Sequence, residues 1–272
     1  MKKTAIISMV FAAVLISFSS CESEDEAGSD VDALDLEVET AQETTYEAID
    51  QTVESAFEGL QPAGRVSDDG TTLAECVDFT HDQENKIITL DFGDGCTGHL
   101  GNVHTGTIQI EYNMARYEPG AYRIITFVDY AINDIKVEGT RTITNTSTTE
   151  TERVFTVKLE NGKLDFGDGI VATRDASWVR TWFIGQGVVT VSGSASGTNI
   201  NGLDYTADVS VDDPITFTRQ CLMRIPVSGV KAWTLGEVRS SIDYGDGECD
   251  RLADITINGN TTTRRINPRR GR

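Results

Sequence analysis

The alternation of apolar and polar positions divides the chain into three regimes. Ala5 to Ile16 is apolar almost without a break, with only Ser8 polar. From about Glu39 a three-to-four-residue period takes over. Ala41, Thr45, Ala48, Ile49, Thr52, Val53, Ala56, Phe57 and Leu60 fall on one side of an amphipathic helix. Gly59 and Pro62 stop it. From about Leu73 the period becomes two. Ile108, Ile110 and Tyr112 share one face of a strand. Phe155, Val157 and Leu159 do the same, as do Val188 with Thr190 and Ile255 with Ile257. This is the pattern of half-buried antiparallel strands.

The punctuation between these runs is turn chemistry. Asn161-Gly162, Asn201-Gly202 and Asn258-Gly259 predict tight hairpins, because both central residues of a type I′ turn need positive φ. Pro119-Gly120 fits the two central positions of a type II turn, and Ser228-Gly229 is a fifth hairpin candidate. Successive hairpins place sequence neighbours side by side in the sheet. The expectation is a mainly β fold: a long antiparallel meander of about 12–15 strands, formed as a curved half-barrel or a two-layer sandwich, with one N-terminal amphipathic helix.

The ends of the chain carry its address. Lys2 and Lys3, the apolar run and the small residues Ser19 and Ser20 have the layout of a secretory signal peptide. The run is shorter than the roughly 20 residues needed to cross a bilayer. Phe18-Ser19-Ser20-Cys21 resembles a lipobox, the site at which bacterial lipoproteins are lipidated and cut, with Phe where the pattern prefers Leu. The resemblance implies a diacylglycerol on the Cys21 thiol and a further acyl chain such as palmitate on its amino group, enough for a stable anchor. Glu22-Ser23-Glu24-Asp25-Glu26 is similar to the surface-export signal of Bacteroidota lipoproteins, which implies an outer-membrane protein facing the cell exterior. The layout is a signal peptide over 1–20, an acidic flexible tether over 21–38, the helix over 39–60, a β-rich domain over 70–266 and a basic tail over 267–272.

Charge sharpens the choice of partner. The 272 residues carry a formal net charge of −20, and losing Lys2 and Lys3 with the signal peptide brings the side chains to about −22. Glu22 to Glu58 holds 14 acidic residues and no Lys or Arg. No nucleic-acid partner is expected, since such binding rests on neutralising phosphates. Arg264, Arg265, Arg269, Arg270 and Arg272 form the one basic patch, either a contact for phosphate or lipopolysaccharide or a solvated end. Apart from Cys21 there are four cysteines: Cys76, Cys96, Cys221 and Cys249. In an exported chain they imply disulfides, with three connectivities open. Cys76–Cys96 and Cys221–Cys249 is the preferred pairing, because each pair brackets a similar motif.

That motif occurs three times, as Leu90-Asp91-Phe92-Gly93-Asp94-Gly95, Leu164-Asp165-Phe166-Gly167-Asp168-Gly169 and Ile242-Asp243-Tyr244-Gly245-Asp246-Gly247. It reads as a tight turn at a strand end, with Asp bonding backbone N–H groups and the aromatic ring packing inward. An internal duplication accounts for the shared cysteines of the first and third copies. The alternative is a Ca²⁺ site with Asp243, Asp246, Glu248 and Asp250 as ligands, since Ca²⁺ takes six to eight oxygens. Otherwise no cofactor is expected. With Gly106-Thr107-Ile108, Ile124-Ile125-Thr126-Phe127, Tyr130, Asn133-Asp134, the stretch from Val137 to Asn145, Trp178, Arg180, Trp182, Gly193 and Gly197, the first motif resembles a family of flavobacterial-type Bacteroidota outer-membrane lipoproteins. The resemblance spans roughly residues 73–260 and implies a β-rich exported domain, without lending an activity.

Catalytic signatures are few. His81, His99 and His104 lie within 24 residues but share no metal-ligand spacing on one element. No Gly-x-Ser-x-Gly elbow or His-Glu-x-x-His helix occurs. Trp178 and Trp182 fall on one strand face, as core residues or as a platform for sugar rings. The expected function is a lipid-anchored, non-enzymatic binding or structural module held to the membrane, with a protein, glycan or lipid ligand. The alternatives are a periplasm-facing carrier or chaperone for lipids or envelope proteins, and a carbohydrate-active enzyme working through paired carboxylates.

Overall fold

The structure, a computed structural model, describes residues 42, 45–57, 75–98, 101–221, 223 and 225–266. Residues 45–57 form a helix, α1, and Gln42 is also helical. Fifteen strands follow: β1 (Asp78–Asp82), β2 (Ile87–Asp91), β3 (Cys96–Thr97), β4 (Val103–Tyr112), β5 (Tyr122–Ile132), β6 (Ile135–Asn145), β7 (Glu152–Asp165), β8 (Val171–Phe183), β9 (Val188–Thr198), β10 (Asp204–Val209), β11 (Ile215–Thr218), β12 (Pro226–Leu235), β13 (Val238–Asp246), β14 (Leu252–Ile257) and β15 (Asn260–Arg265). One 3₁₀ turn, Arg219–Cys221, lies before β12.

All the strands belong to one antiparallel sheet, in the order β1-β2-β4-β5-β6-β7-β8-β9-β10-β12-β13-β14-β15. The meander is therefore one continuous hydrogen-bonded sheet. β3 is a short addition beside β4. β10 and β11 share one slot between β9 and β12. Val209 pairs with Gly193 and Ile215 with Val191, so residues 210–214 leave the strand line and rejoin it.

Helix α1 forms because its apolar side has somewhere to go. Tyr46, Ile49, Val53 and Ala56 are buried against Ile88 and Leu90 of β2, Ile108 and Ile110 of β4, Ile125 of β5, Ile143 of β6, and Phe155, Leu159 and Leu164 of β7. These strand residues keep to alternate positions within each regular stretch, and an irregularity in β7 carries the phase from Leu159 to Leu164. Ile49, Ile88, Leu90, Ile108, Ile110 and Ile125 are fully buried, and burying each such side chain contributes about 1.5–3 kcal/mol.

The ladder shifts register at a series of bulges, at Gly106 in β4, Gly139 in β6, between Leu159 and Gly162 in β7, and at Gly229 in β12. Bulges strengthen local twist and bend the strand that carries them. The chemistry is clearest at Gly106, which has φ of +70°. A Cβ there would lie 2.2 Å from the Asp129 carbonyl oxygen.

Two of the expected hairpins are bulges instead. Asn161-Gly162 lies inside β7, which stays paired to β8 on both sides of it, and the strand reverses later, over 166–170. Ser228-Gly229 lies inside β12. A left-handed residue serves a bulge as well as a turn, and the flanking alternation is the same in both cases. Asn258-Gly259 is the two-residue turn expected, with φ of +48° and +86° between paired Ile257 and Asn260. Pro119-Gly120 is a type II turn: Ala121 N–H donates to the Glu118 carbonyl at 3.0 Å and Gly120 has φ of +83°. Asn201-Gly202 lies in a longer reversal. There the Asn199 side-chain oxygen accepts from the N–H of Asn201 and of Leu203.

Candidate functional site

Two arrangements of polar groups stand out: a charged seam between α1 and the sheet, and a pair of disulfide-clasped hairpins.

The seam begins with Asp50 and Glu54, four residues apart on α1 and one position past the buried Ile49 and Val53. Facing them are arginines on β5 and β6, at inward-pointing positions two residues from Ile125 and Ile143. Arg141 grips Asp50 with two parallel bonds, Nε to Oδ1 and Nη2 to Oδ2, both 2.6 Å. Arg123 Nη1 donates to Glu54 Oε2 at 3.1 Å, and Arg116 pairs with the other oxygen of Glu54. Arg123 lies over the Phe57 ring and Arg141 over the Tyr46 ring, 5.0 and 5.7 Å from the centroids. Burial pushes the pKa of Arg123 down from its usual value, and the neighbouring Asp50 opposes that shift. Burial also raises the Tyr46 hydroxyl far above the usual phenol range. Further along, the Tyr205 hydroxyl of β10 donates to Gln42 Oε1 at 2.9 Å and accepts from Arg174 Nη1 at 3.2 Å. The seam fixes the helix in position and orientation on the sheet. Sequence reasoning named α1 by its apolar side alone. The available signal was an arginine in the inward phase of an otherwise isoleucine-rich strand.

The four cysteines pair as preferred, Cys76 with Cys96 and Cys221 with Cys249, with Cα atoms 5.6 and 5.5 Å apart. Each bond clasps one hairpin at its base. Cys76 precedes β1, and Cys96 follows the repeated motif at the end of β2. Cys221 precedes β12, and Cys249 follows the same motif at the end of β13. The three motifs share one side-chain-to-backbone bond, made in turns by the first two and within the end of β13 by the third. Gly93 N–H donates to Asp91 Oδ1, Gly167 N–H to Asp165 Oδ1 and Gly245 N–H to Asp243 Oδ1, each at 2.9 Å. The first glycine has positive φ every time, at +57°, +86° and +89°. Phe92 is buried in the core, Phe166 packs against it and Tyr244 is half-buried. The two clasped hairpins turn over at opposite ends of the sheet.

Of the proposed Ca²⁺ ligands, Asp243 Oδ1 accepts from Gly245 N–H, Asp250 Oδ1 accepts from Leu252 N–H at 2.9 Å, Asp246 is exposed at the end of β13 and Glu248 is exposed in the loop after it. Among the described residues, no group of three or more His, Cys, Asp or Glu is placed to hold a metal.

The histidines are separate. His81 bonds the Tyr112 hydroxyl at 2.7 Å across β1 to β4. His104 is buried, bonded through Nδ1 to the Tyr130 hydroxyl at 2.8 Å and stacked on Phe92 at 4.9 Å. Burial lowers its pKa and raises that of Tyr130. Trp182 packs on the core, edge-on to Phe155 at 5.5 Å, and Trp178 is half-buried. His99, Cys21 and the basic tail lie outside the described residues. No helix among the described residues is long and apolar enough to cross a membrane, which says nothing of crossing by strands.

No protein-family model, curated protein or solved structure matches the chain.

Proposed function

We propose that this chain is a lipid-anchored lipoprotein of a bacterial outer membrane, presenting a β-sheet module that binds rather than reacts. The observation that carries the reading is the N-terminal sequence: two lysines, an apolar run of export length, and Cys21 after small residues. Two disulfides suit an oxidising compartment outside the cytoplasm. The Glu22–Glu26 cluster supports the outward face. Side chains of α1 fill the inner face of β2 and β4 to β7, which favours binding at the outside of the sheet over binding within that part.

Two measurements test it. Cells fed an alkynyl palmitate should label the wild-type chain and fail to label Cys21→Ser. Protease applied to intact cells should remove the folded module. Equal labelling of Cys21→Ser would sink the anchor, and protection from protease would move the module to the periplasmic face.

A further inference from the structure

The strand path from β1 to β15 contains thirteen members, an odd number, each antiparallel to the next. The first and last strands therefore run in the same direction, so the sheet cannot close on itself by the antiparallel pairing it uses elsewhere. Among the described residues, no register joins β1 to β15. The sheet thus has two edges among the described residues, and they differ. β1 is tied down: Phe79 packs on the core, His81 bonds Tyr112, and Asp82 accepts from the N–H groups of Glu84 and Asn85. β15 pairs with β14 over six residues without a bulge, and all six of its residues are exposed.

The outward row of backbone groups on β15 can be assigned. Ile257 pairs with Asn260 across the turn, and Ile266 N–H donates to the Arg251 carbonyl at 2.8 Å. Alternation along an antiparallel pair then turns the backbone groups of Asn260, Thr262 and Arg264 toward β14, and those of Thr261, Thr263 and Arg265 outward. Such a row is a template for another strand unless something blunts it. No proline or bulge interrupts it, and a run of threonine favours extended backbone.

The charge at this edge is opposite to that of the molecule. β15 itself carries Arg264 and Arg265 and no acidic residue, in a chain of net charge −20, and Asp254 of β14 is engaged by the Thr263 hydroxyl, which donates to its Oδ1 at 2.6 Å. Arg264 and Arg265 are consecutive, so they project from opposite faces of the strand and flank an added strand on both sides.

We infer that β15 is a docking edge for an extended acidic peptide, which adds to the sheet as a further antiparallel strand. The row of N–H and C=O groups selects a peptide over a polysaccharide or a lipid headgroup, because only a peptide backbone matches it. The two arginines select paired acidic residues at successive positions. The inference deepens the reading of the chain as a binding module and rests on it.

The probe is a fluorescein-labelled ten-residue peptide with paired glutamates between valines and threonines, titrated by fluorescence anisotropy against the full chain in detergent. Binding is expected at low salt, weakening about tenfold or more in high salt as screening sets in. The same peptide with lysine for glutamate should not bind. Nor should an acidic version N-methylated at alternate residues, which keeps its charge but loses its ladder bonds. The R264E/R265E variant should lose binding at least about tenfold, since it reverses the charge that recognises the ligand. Thr263→Pro, which removes an outward donor from an edge position, should lose it too. Near-UV circular dichroism checks that both variants keep the wild-type fold. Equal binding of the N-methylated peptide would reduce the interaction to loose charge attraction and overturn the proposal. So would no binding of the acidic peptide at low salt, or self-association of the chain that Thr263→Pro abolishes, which would give the edge to a second copy. Failure of the peptide leaves the palmitate result untouched, so this proposal and the anchoring are judged separately.

Discussion

In β4, Ile108 and Ile110 are fully buried beneath α1, while in β15 all six residues are exposed. Both strands belong to the same ladder and make the same kind of backbone bond. The first is held by side-chain burial on one face and by a neighbour, β5, whose Arg123 is paired to Glu54 of the helix. The second is held by one neighbour, a two-residue turn and threonine pairs such as Thr256–Thr261 at 2.8 Å. Continuity of a sheet is thus no measure of uniform stability: local opening costs least where apolar contacts are few.

The strongest way to break the contrast is to attack the helix side. Ile49→Ala should cost about 2–5 kcal/mol by chemical denaturation, as for other large-to-small core changes. Leu252→Ala, at an exposed position of β14, should cost less than about 0.5 kcal/mol. Equal effects would refute the division. Next come the clasps. Each disulfide closes a loop for which removal should cost roughly 3 kcal/mol, so C76S/C96S and C221S/C249S should both lower the denaturation midpoint. A double-mutant cycle on Arg141→Met and Asp50→Asn should return a coupling of about 1–2 kcal/mol, with both side chains partly exposed and so partly screened.

A pH titration sharpens the comparison further. His104 has its pKa lowered by burial, so the unfolded chain takes up a proton that the folded chain refuses. Stability should therefore fall as pH drops below about 6.5, by at most about 1.4 kcal/mol per pH unit for one site. His104→Gln should flatten that slope. The smallest effect is kinetic in origin. Amide hydrogen exchange should be slow in β5 to β7, through global unfolding only, and fast in β14 and β15.

The same contrast governs what could be read from the sequence. Strand type and helix type followed from period, since inward isoleucines at alternate positions leave little choice. Asn258-Gly259 was legible because a strand of only six residues leaves no alternative to reversing there. Asn161-Gly162 was misread because β7 runs for 14 residues, and a left-handed pair in its middle bends it without ending it. Asn133-Asp134 closes β5 to β6 with φ of +50° and +65°, but without a glycine it gave a weaker turn signal. The cysteine pairing was legible because the motif marks the foot of each clasped hairpin. The arginine seam was not, since a lone inward arginine is intelligible only once Asp50 and Glu54 face it.

The excursion at 210–214 has a use in protein engineering. The chain leaves the slot after Val209 and re-enters it at Ile215, still between β9 and β12. At its crest Val211 is 78% exposed, the most open of the large apolar side chains described. Extra residues placed there would lengthen a loop whose two ends are already fixed by pairing, at a cost that grows only slowly with length. It is the natural position for an epitope tag or a guest domain, carried on the sheet without changing the register of any strand.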